Sequence, residues 1–310
     1  MKVGYLLSST FPYGKLICSD AGPAIADEYN WIPFSLNSSL LHDFDAIVVD
    51  NRHHSRQDID ALSVFLRNCS ASIFLRVNDP YIFHKSDLWY VFCSEMIDAP
   101  RVHFLTPYQP TGLLSYWLSH AIKSTFIYAP FTYNSDYEVD SNHSLRRSLL
   151  AVTGNQRLDL YPLRYLVQKV SRLPFSKSIF RVDRLRHPGY PEKVSNQRHS
   201  VTGSSYIQWL SRFACAFADS SIYRVELLKY REIAYAGCAL IGDLPWSLYD
   251  CPRDAFIEFT SALDLVSLRS SICDLSTTQY AANIYRDYMR SVRCQATWRT
   301  RVAQSIARLA

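Results

Sequence analysis

The sequence contains no hydrophobic run long enough to span a membrane. Residues 102–122 form one of its longest uncharged stretches, but Pro107, Pro110 and Gly112 interrupt it. It therefore falls short of the roughly 18 consecutive apolar residues that a spanning helix needs. The first residues, MKVGYLLSS, lack the small-residue cleavage site of an export signal and are expected to form a strand. We expect a soluble protein with no transmembrane segment.

Cysteine pairs at the spacing of metal or redox sites are also absent. The 8 cysteines are scattered along the chain without one C-x-x-C pair, so the sequence supports neither a zinc site nor a disulfide framework. Glycine is scarce, with 9 residues among 310, which excludes a collagen-like or low-complexity chain. Reduced thiols are typical of the cytoplasm, which is the location that we expect.

What the chain does have is length and a division of charge. At roughly 150 residues per domain, its length suggests two domains. Residues 1–140 carry 9 Lys and Arg against 15 Asp and Glu, whereas residues 141–310 carry 24 against 13. The polar segment at 130–145 coincides with this change of sign. We predict a first domain at 1–140 and a second at 141–310, whose last helices could return to pack on the first.

Strand-like and helix-like segments alternate in the first half. Apolar runs predict strands at 2–8, 44–50 and 72–77, and helical spacing predicts a helix at 57–69. Regular alternation of this kind indicates parallel strands joined by crossover helices. This is the α/β class, in which ligands bind at the carboxyl ends of the strands.

The second half repeats this alternation. Strands are predicted at 148–152, 179–182 and 238–241. Helices are predicted at 160–170, 206–217, 229–237, 264–272 and 278–309. The chain is therefore expected to hold a second α/β unit with its own sheet.

The block from Leu228 to Asp243 is the most informative part of the sequence. The carboxylate of Glu232 is followed by small residues, a glycine stop at Gly237 and a short apolar strand. This order resembles the donor-site helix of GT-B glycosyltransferases. The resemblance implies that Glu232 accepts hydrogen bonds from the ribose hydroxyls of a nucleotide sugar. It also implies that the start of the helix faces the diphosphate, because unpaired N–H groups there favour negative charge.

Further pieces of the same pattern occur in the expected order. Gly154 follows the first strand of the second half, where a phosphate or sugar would need close backbone approach. Arg164 then supplies a guanidinium suited to phosphate, and His187 lies at a predicted strand end further along. Residues 296–301, ATWRTR, resemble the closing His-Thr-aromatic-x-x-Arg signature of bacterial group-one and spore-protein-like glycosyltransferases, with Ala296 in place of the histidine.

The resemblance implies a fold, a reaction and its partners. The fold is two Rossmann-like domains that face each other across a cleft. The reaction moves a sugar from a nucleotide-diphosphate donor to a hydroxyl of a glycan or another acceptor. Neither a cofactor nor a metal is expected, because Arg164, Lys229 and Arg231 together with the helix N-terminus would stabilise the departing diphosphate.

One departure from the family pattern leaves the stereochemical outcome open. Retaining members of the best-known group carry a second glutamate eight residues before the ribose-binding one, and that position is Arg224 here. An inverting reaction commonly needs a base at the acceptor hydroxyl. The candidates are Asp20, in the loop after the first predicted strand, and His53 or His54, after the second. All three are expected to face the cleft.

Each candidate also has a purely structural interpretation. Glu232 could pair with a basic neighbour on its own helix, and Arg164 could belong to a structural ion pair. Asp20 and His187 could occupy turns. His53 could be an exposed loop imidazole.

A function of another class also stays open. Residues 141–201 hold 12 Lys and Arg against 3 acidic residues, and such a field attracts phosphate, nucleic acid or an anionic lipid surface. The alternative is therefore a nucleic-acid-binding protein, or a glycosyltransferase that modifies DNA. Against it, no helix-turn-helix, zinc finger or aromatic RNA-binding motif accompanies these basic residues.

Overall fold

The chain forms two compact units. The computed structural model describes residues 1–11, 22–36, 44–53, 55–78, 87–109, 126–140, 142–155, 157–172, 181–186, 201–261 and 264–310. The first unit is Met1–Thr132 with Gln295–Ala310, and the second is Tyr133–Cys294. The sequence prediction divided the chain between residues 140 and 141. In the structure the chain leaves the first unit after Thr132 and re-enters it at Gln295.

A parallel sheet of six strands organises the first unit. The strands are β1 (Val3–Leu6), β2 (Ile32–Phe34), β3 (Ala46–Val49), β4 (Ser72–Arg76), β5 (Val102–Thr106) and β6 (Phe126–Tyr128). Their order is β2-β1-β3-β4-β5-β6, and all pairs are parallel. The described helices of this unit are α1 (Pro23–Tyr29), α2 (Arg56–Asn68), α3 (Leu88–Glu95) and, from the end of the chain, α9 (Gln295–Ala307).

The inner strands of the first unit are mostly apolar, as is usual where helices cover both faces of a parallel sheet. Every residue of β1, β3, β4 and β5 is buried. Helix α2 begins at Arg56, and the hydroxyl of the preceding Ser55 caps it by accepting a hydrogen bond from the backbone N–H of Asp58 at 3.0 Å. The predicted strands at 44–50 and 72–77 and the predicted helix at 57–69 are confirmed.

A second parallel sheet, of five strands, organises the second unit. Its strands are β7 (Arg147–Gly154), β8 (Val182–Arg186), β9 (Phe213–Ala218), β10 (Ala239–Gly242) and β11 (Phe256–Glu258), in the order β11-β10-β9-β7-β8. The described helices are α4 (Pro162–Val170), α5 (Gly203–Leu210), α6 (Leu228–Ala236), α7 (Leu265–Cys273) and α8 (Leu275–Val292). Within the described parts of both units, no helix is long and apolar enough to cross a membrane.

The predicted helix at 206–217 is confirmed as far as Leu210 and wrong beyond it. Helix α5 ends at Leu210, and residues Phe213–Ala218 form β9, the central strand of the second sheet. All six residues of β9 are buried. A short apolar run buried on both faces shows no alternation, so periodicity cannot distinguish it from a buried helix. The single helix predicted at 278–309 is also divided, because α8 ends at Val292 and α9 begins at Gln295.

The two ends of the second unit lie side by side. Tyr133 and Cys294 form an isolated parallel bridge, and the backbone N–H of Tyr133 donates to the carbonyl oxygen of Arg293 at 2.6 Å. The buried guanidinium of Arg293 also donates to the buried carboxylate of Glu226, with Nε 3.1 Å from each carboxylate oxygen. A backbone hydrogen bond therefore holds the first residue of the second unit beside its last residues, and an ion pair anchors Arg293 within the unit.

Gly242 provides a test of the packing between strands β9 and β10. Its φ is 149°, and a Cβ at this position would lie 1.7 Å from the carbonyl oxygen of Ala218 on the neighbouring strand β9. Because a backbone atom cannot move aside cheaply, we expect Gly242→Ala to lower the free energy of unfolding by about 3 kcal/mol or more. Urea unfolding monitored by circular dichroism measures this loss.

A substitution without such a clash serves as the control. Ala303 is exposed on α9, and Ala303→Gly should cost only about 1 kcal/mol of helix propensity. If Gly242→Ala unfolded at the urea concentration of the control or above it, the close approach of β9 and β10 would be refuted.

Candidate functional site

The carboxyl edge of the second sheet gathers polar residues. Gly154 ends β7, Asp219 follows β9, and Asp243 follows β10. Because these strands are parallel neighbours, the three residues emerge at one edge. This is the edge at which ligands bind in open parallel α/β sheets.

Gly154 lies against two basic side chains from other elements. Its φ of 89° is in the left-handed region, which a residue with a side chain rarely adopts. A Cβ on Gly154 would lie 2.8 Å from Cε of Lys229 and 3.3 Å from Nη1 of Arg164. The structure thus brings together three residues that the sequence assigned to one donor site.

Lys229 is the second residue of α6. Its ammonium donates hydrogen bonds to Oγ1 of Thr153 at 2.7 Å and to the hydroxyl of Tyr206 at 3.3 Å. It also lies 5.3 Å from the centre of the Tyr206 ring. A lysine ammonium beside the N-terminus of a helix combines two positive fields, so this position is suited to an anion.

The other end of α6 contacts two arginines, the buried Arg146 and the partly buried Arg286. The helix ends at Gly237, which is left-handed with φ 63° as a C-terminal glycine usually is. Nη2 of Arg146 donates to the carbonyl oxygen of Ala236 at 2.8 Å, and Nε of Arg286 donates to that of Ala234 at 3.0 Å. These cations satisfy the last carbonyl groups and oppose the negative end of the helix dipole. They contact the end of α6 that is opposite to Lys229.

Arg164 forms a buried ion pair with Asp219. Its Nη2 donates to Oδ1 of Asp219 at 2.5 Å and its backbone N–H to Oδ2 at 3.0 Å. Nη1 donates to the carbonyl oxygen of Asn155 at 3.0 Å. Burial raises the pKa of Asp219, and the charge of Arg164 acts in the opposite direction. Because the side chain of Arg164 is 2% exposed, its environment is that of a structural ion pair.

The remaining donor-site candidates on α6 differ in environment. Arg231 is buried, with its guanidinium 5.8 Å from the centre of the Tyr235 ring. Glu232 is half-buried and is the fifth residue of the helix. It follows Lys229 by three positions, and residues at this spacing share a helix face. His187, the remaining donor-site prediction, lies outside the described residues.

Arg224 lies in the loop between β9 and α6. It has a left-handed φ of 55°, and its guanidinium donates to Asp243 at 3.1 Å and lies 5.7 Å from the ring of Trp246. Asp243 also accepts hydrogen bonds from the backbone N–H and the hydroxyl of Ser220. This carboxylate therefore joins the loops after β9 and β10. Sequence reasoning missed Asp243 and Asp219, although a carboxylate directly after a buried strand is a usable signal.

The acceptor-side candidates are in the first unit. Asp20 and His54 lie outside the described residues. His53 is fully buried, and its ring stacks on Trp89 at 5.8 Å between ring centres. The interpretation of His53 as an exposed loop imidazole is therefore wrong.

A network of hydroxyl groups surrounds Asp58 at the start of α2. Ser8 and Ser9, after β1, donate to its carboxylate at 2.7 and 2.9 Å, and Thr10 donates as well. Burial alone would raise the pKa of Asp58, but these hydrogen bonds outweigh it and lower the pKa. The order of strands in the first sheet reverses between β1 and β3. This ionised carboxylate therefore lies at the switch point, a usual place for ligands.

Comparisons with known proteins identify the fold. No protein-family model matches the chain, and no curated protein matches its sequence. A structure of HepE from Anabaena with UDP and glucose is 10% identical, with 99% of both chains covered and a TM-score of 0.60. The β-glucosyltransferase of T4 phage is 12% identical, with 99% of both chains covered and a TM-score of 0.56.

A third structure is an α-glucosyltransferase with UDP and a 13-mer DNA that contains an HMU base. It is 10% identical over 84% of this chain and 81% of that chain, at a TM-score of 0.57. At these identities the likeness shows the fold alone. The chain has the GT-B type of fold, and the predicted α/β class with two Rossmann-like parallel sheets is confirmed.

The buried ion pair between Arg164 and Asp219 should contribute to the free energy of unfolding. Arg164→Met leaves a carboxylate buried without its partner, and we expect a loss of about 3–5 kcal/mol in the free energy of unfolding. The double variant Arg164→Met with Asp219→Leu should lose less, because no uncompensated charge remains. Urea unfolding at neutral pH measures both.

A second ion pair in the same unit provides the control. Arg157 and Asp159 pair at the surface, where both side chains are more than half exposed. Arg157→Met should change the urea midpoint little, since water screens this pair. Equal effects of the Arg164 and Arg157 substitutions would show that burial does not govern the first pair.

Proposed function

We propose that this protein transfers a sugar from a nucleoside-diphosphate sugar to a hydroxyl group of an acceptor. The observation that carries the proposal is the meeting of Gly154, Lys229 and the start of α6 at the carboxyl edge of the second sheet. Glycine permits close backbone approach, while the ammonium and the helix N-terminus supply positive charge. Structures of similar proteins in complex with UDP support a nucleoside diphosphate as the ligand.

The proposed reaction breaks the bond between the anomeric carbon of the sugar and the oxygen of the second phosphate. A bond from the acceptor oxygen to the anomeric carbon replaces it, and the acceptor proton goes to a base or to solvent. Negative charge builds up on the departing diphosphate. Lys229 and the N–H groups at the start of α6 stabilise that charge in the transition state.

Glu232 and Arg164 take different roles in this proposal. Glu232 shares a helix face with Lys229, so it accepts hydrogen bonds from the ribose beside the diphosphate. Arg164 contacts Asp219 and the carbonyl group of Asn155, and so it positions the loop after Gly154 instead of meeting the phosphate. We propose that no metal is required, because the charge of Lys229 and the helix N-terminus replace it.

For the acceptor side, the base that we propose is Asp20. The imidazole of His53 is fully buried against Trp89, which leaves it without access to a bulky acceptor. The acceptor is a compound with a hydroxyl group, such as a glycan.

DNA is a second candidate acceptor. The α-glucosyltransferase with a 13-mer DNA shares the fold, and residues 141–201 carry the basic excess that a phosphate backbone attracts. Filter binding of duplex DNA at about 50 and 200 mM salt tests it, because affinity that depends on phosphate contacts falls steeply between these concentrations. Absence of binding at the lower concentration would remove DNA as a partner.

Binding of a nucleoside diphosphate tests the main proposal. In calorimetry with UDP, GDP, ADP, CDP and TDP, the wild-type protein should bind at least one, with or without EDTA. Lys229→Met and Glu232→Ala should each weaken that binding about tenfold or more, because each removes a contact to a charged or hydroxyl group. A wild-type protein that bound none of the five would refute the proposal.

Lys169→Met is the matched control. Lys169 lies on α4 of the same unit, exposed beside Tyr165 and away from the carboxyl edge of the second sheet. Its loss removes the same charge from the unit as Lys229→Met does. Equal loss of affinity in both variants would mean that net charge, and not a site at Lys229, governs binding.

A further inference from the structure

Two buried hydroxyl groups contact the ammonium of Lys229. Oγ1 of Thr153, on the next-to-last residue of β7, accepts a hydrogen bond from it at 2.7 Å, and the hydroxyl of Tyr206 on α5 accepts another at 3.3 Å. The two hydroxyl groups are also hydrogen-bonded to each other, with 2.6 Å between their oxygens. Thr153 is 3% exposed and Tyr206 is 9% exposed. Side chains from β7, α5 and α6 therefore meet in one polar cluster beside Gly154.

We infer that Tyr206 is a positioning residue of the donor site, and that with Thr153 it holds the Lys229 ammonium where the diphosphate binds. This inference rests on the proposed function. It adds a residue from α5, an element from which the sequence pattern assigned no donor-site residue. Tyr206 acts on the diphosphate through Lys229.

The physical reason is the flexibility of lysine. Its ammonium ends a four-carbon stem that takes many rotamers, so an untethered lysine loses conformational entropy when it meets a ligand. A lysine already held by two hydroxyl groups has lost that entropy before binding, which increases affinity. Both hydroxyl groups are neutral, so these two hydrogen bonds orient the ammonium without cancelling its charge.

The ring and the hydroxyl of Tyr206 have separable tasks. The ring belongs to the hydrophobic core of the second unit, together with Leu210 and Phe213, and it lies under the ammonium of Lys229. The hydroxyl contacts Thr153 and Lys229. Tyr206→Phe keeps the ring in place and removes only the hydroxyl.

A double-mutant cycle tests the inference. Calorimetry is performed with the tightest-binding diphosphate of the panel above, on the wild type, Tyr206→Phe, Lys229→Met and the double variant. We expect Tyr206→Phe to weaken binding about five- to tenfold in the wild-type background. It should weaken binding less than twofold when Lys229 is already replaced, because the hydroxyl then has no ammonium to position. A merely structural role would reduce affinity equally in both backgrounds.

Variants of Thr153 provide a second, independent test of the inference. Thr153→Val removes the other hydroxyl with little change in shape and should also weaken binding only when Lys229 is present, whereas Thr153→Ser keeps the hydroxyl and should bind as the wild type does. Tyr165→Phe is the control, because the ammonium of Lys169 lies at the same 5.3 Å from the Tyr165 ring. It should leave affinity unchanged.

The outcomes separate the inference from the proposed function. If the wild type binds a diphosphate but Tyr206→Phe and Thr153→Val bind it equally well, the positioning role is overturned and the donor site stands. Equal losses in the presence and absence of Lys229 overturn the role in the same way. If the wild type binds no nucleoside diphosphate, the proposed function and the inference fall together.

Discussion

The buried ion pair between Arg164 and Asp219 determines the geometry of the carboxyl edge of the second sheet. Burying two charges costs several kcal/mol per ion, and the structure offsets this cost with a direct contact and a backbone hydrogen bond to the second carboxylate oxygen. The pair joins the start of α4 to the end of β9, and through the carbonyl oxygen of Asn155 it also holds the end of β7. Gly154 thereby keeps its left-handed conformation beside Lys229.

Sequence patterns identified the site residues whose roles follow from local position. Gly154 ends a recognisable strand and Lys229 starts a recognisable helix, so both could be named in advance. Thr153 and Tyr206 could not, because their partners lie 23 to 76 residues away along the chain and only tertiary packing brings them together. The secondary structure was likewise predictable where local signals were clear. Strands flanked by clear turns were found, whereas the strand beginning at Phe213 was lost in an apolar run that continues from the preceding helix.

The basic excess of residues 141–201 has a different meaning once individual partners are known. Arg146 is buried and donates to a carbonyl group at the end of α6. Arg164 forms its ion pair with Asp219. Arg147 and Arg157 have acidic partners, and Arg184 donates to the backbone of α4. These five arginines therefore have partners within the second unit. A count of basic residues overstates the field that remains to attract a polyanion.

The bridge between Tyr133 and Cys294 makes the second unit an insertion with adjacent ends. The chain enters and leaves the second unit at neighbouring points. The segment between them can therefore be replaced by another domain at this single place, called the seam here, without longer linkers. Domains inserted in this way tolerate replacement well, since the host needs only a short closure where the segment is removed. Recombination at this seam would replace the whole second unit while the first unit stayed unchanged.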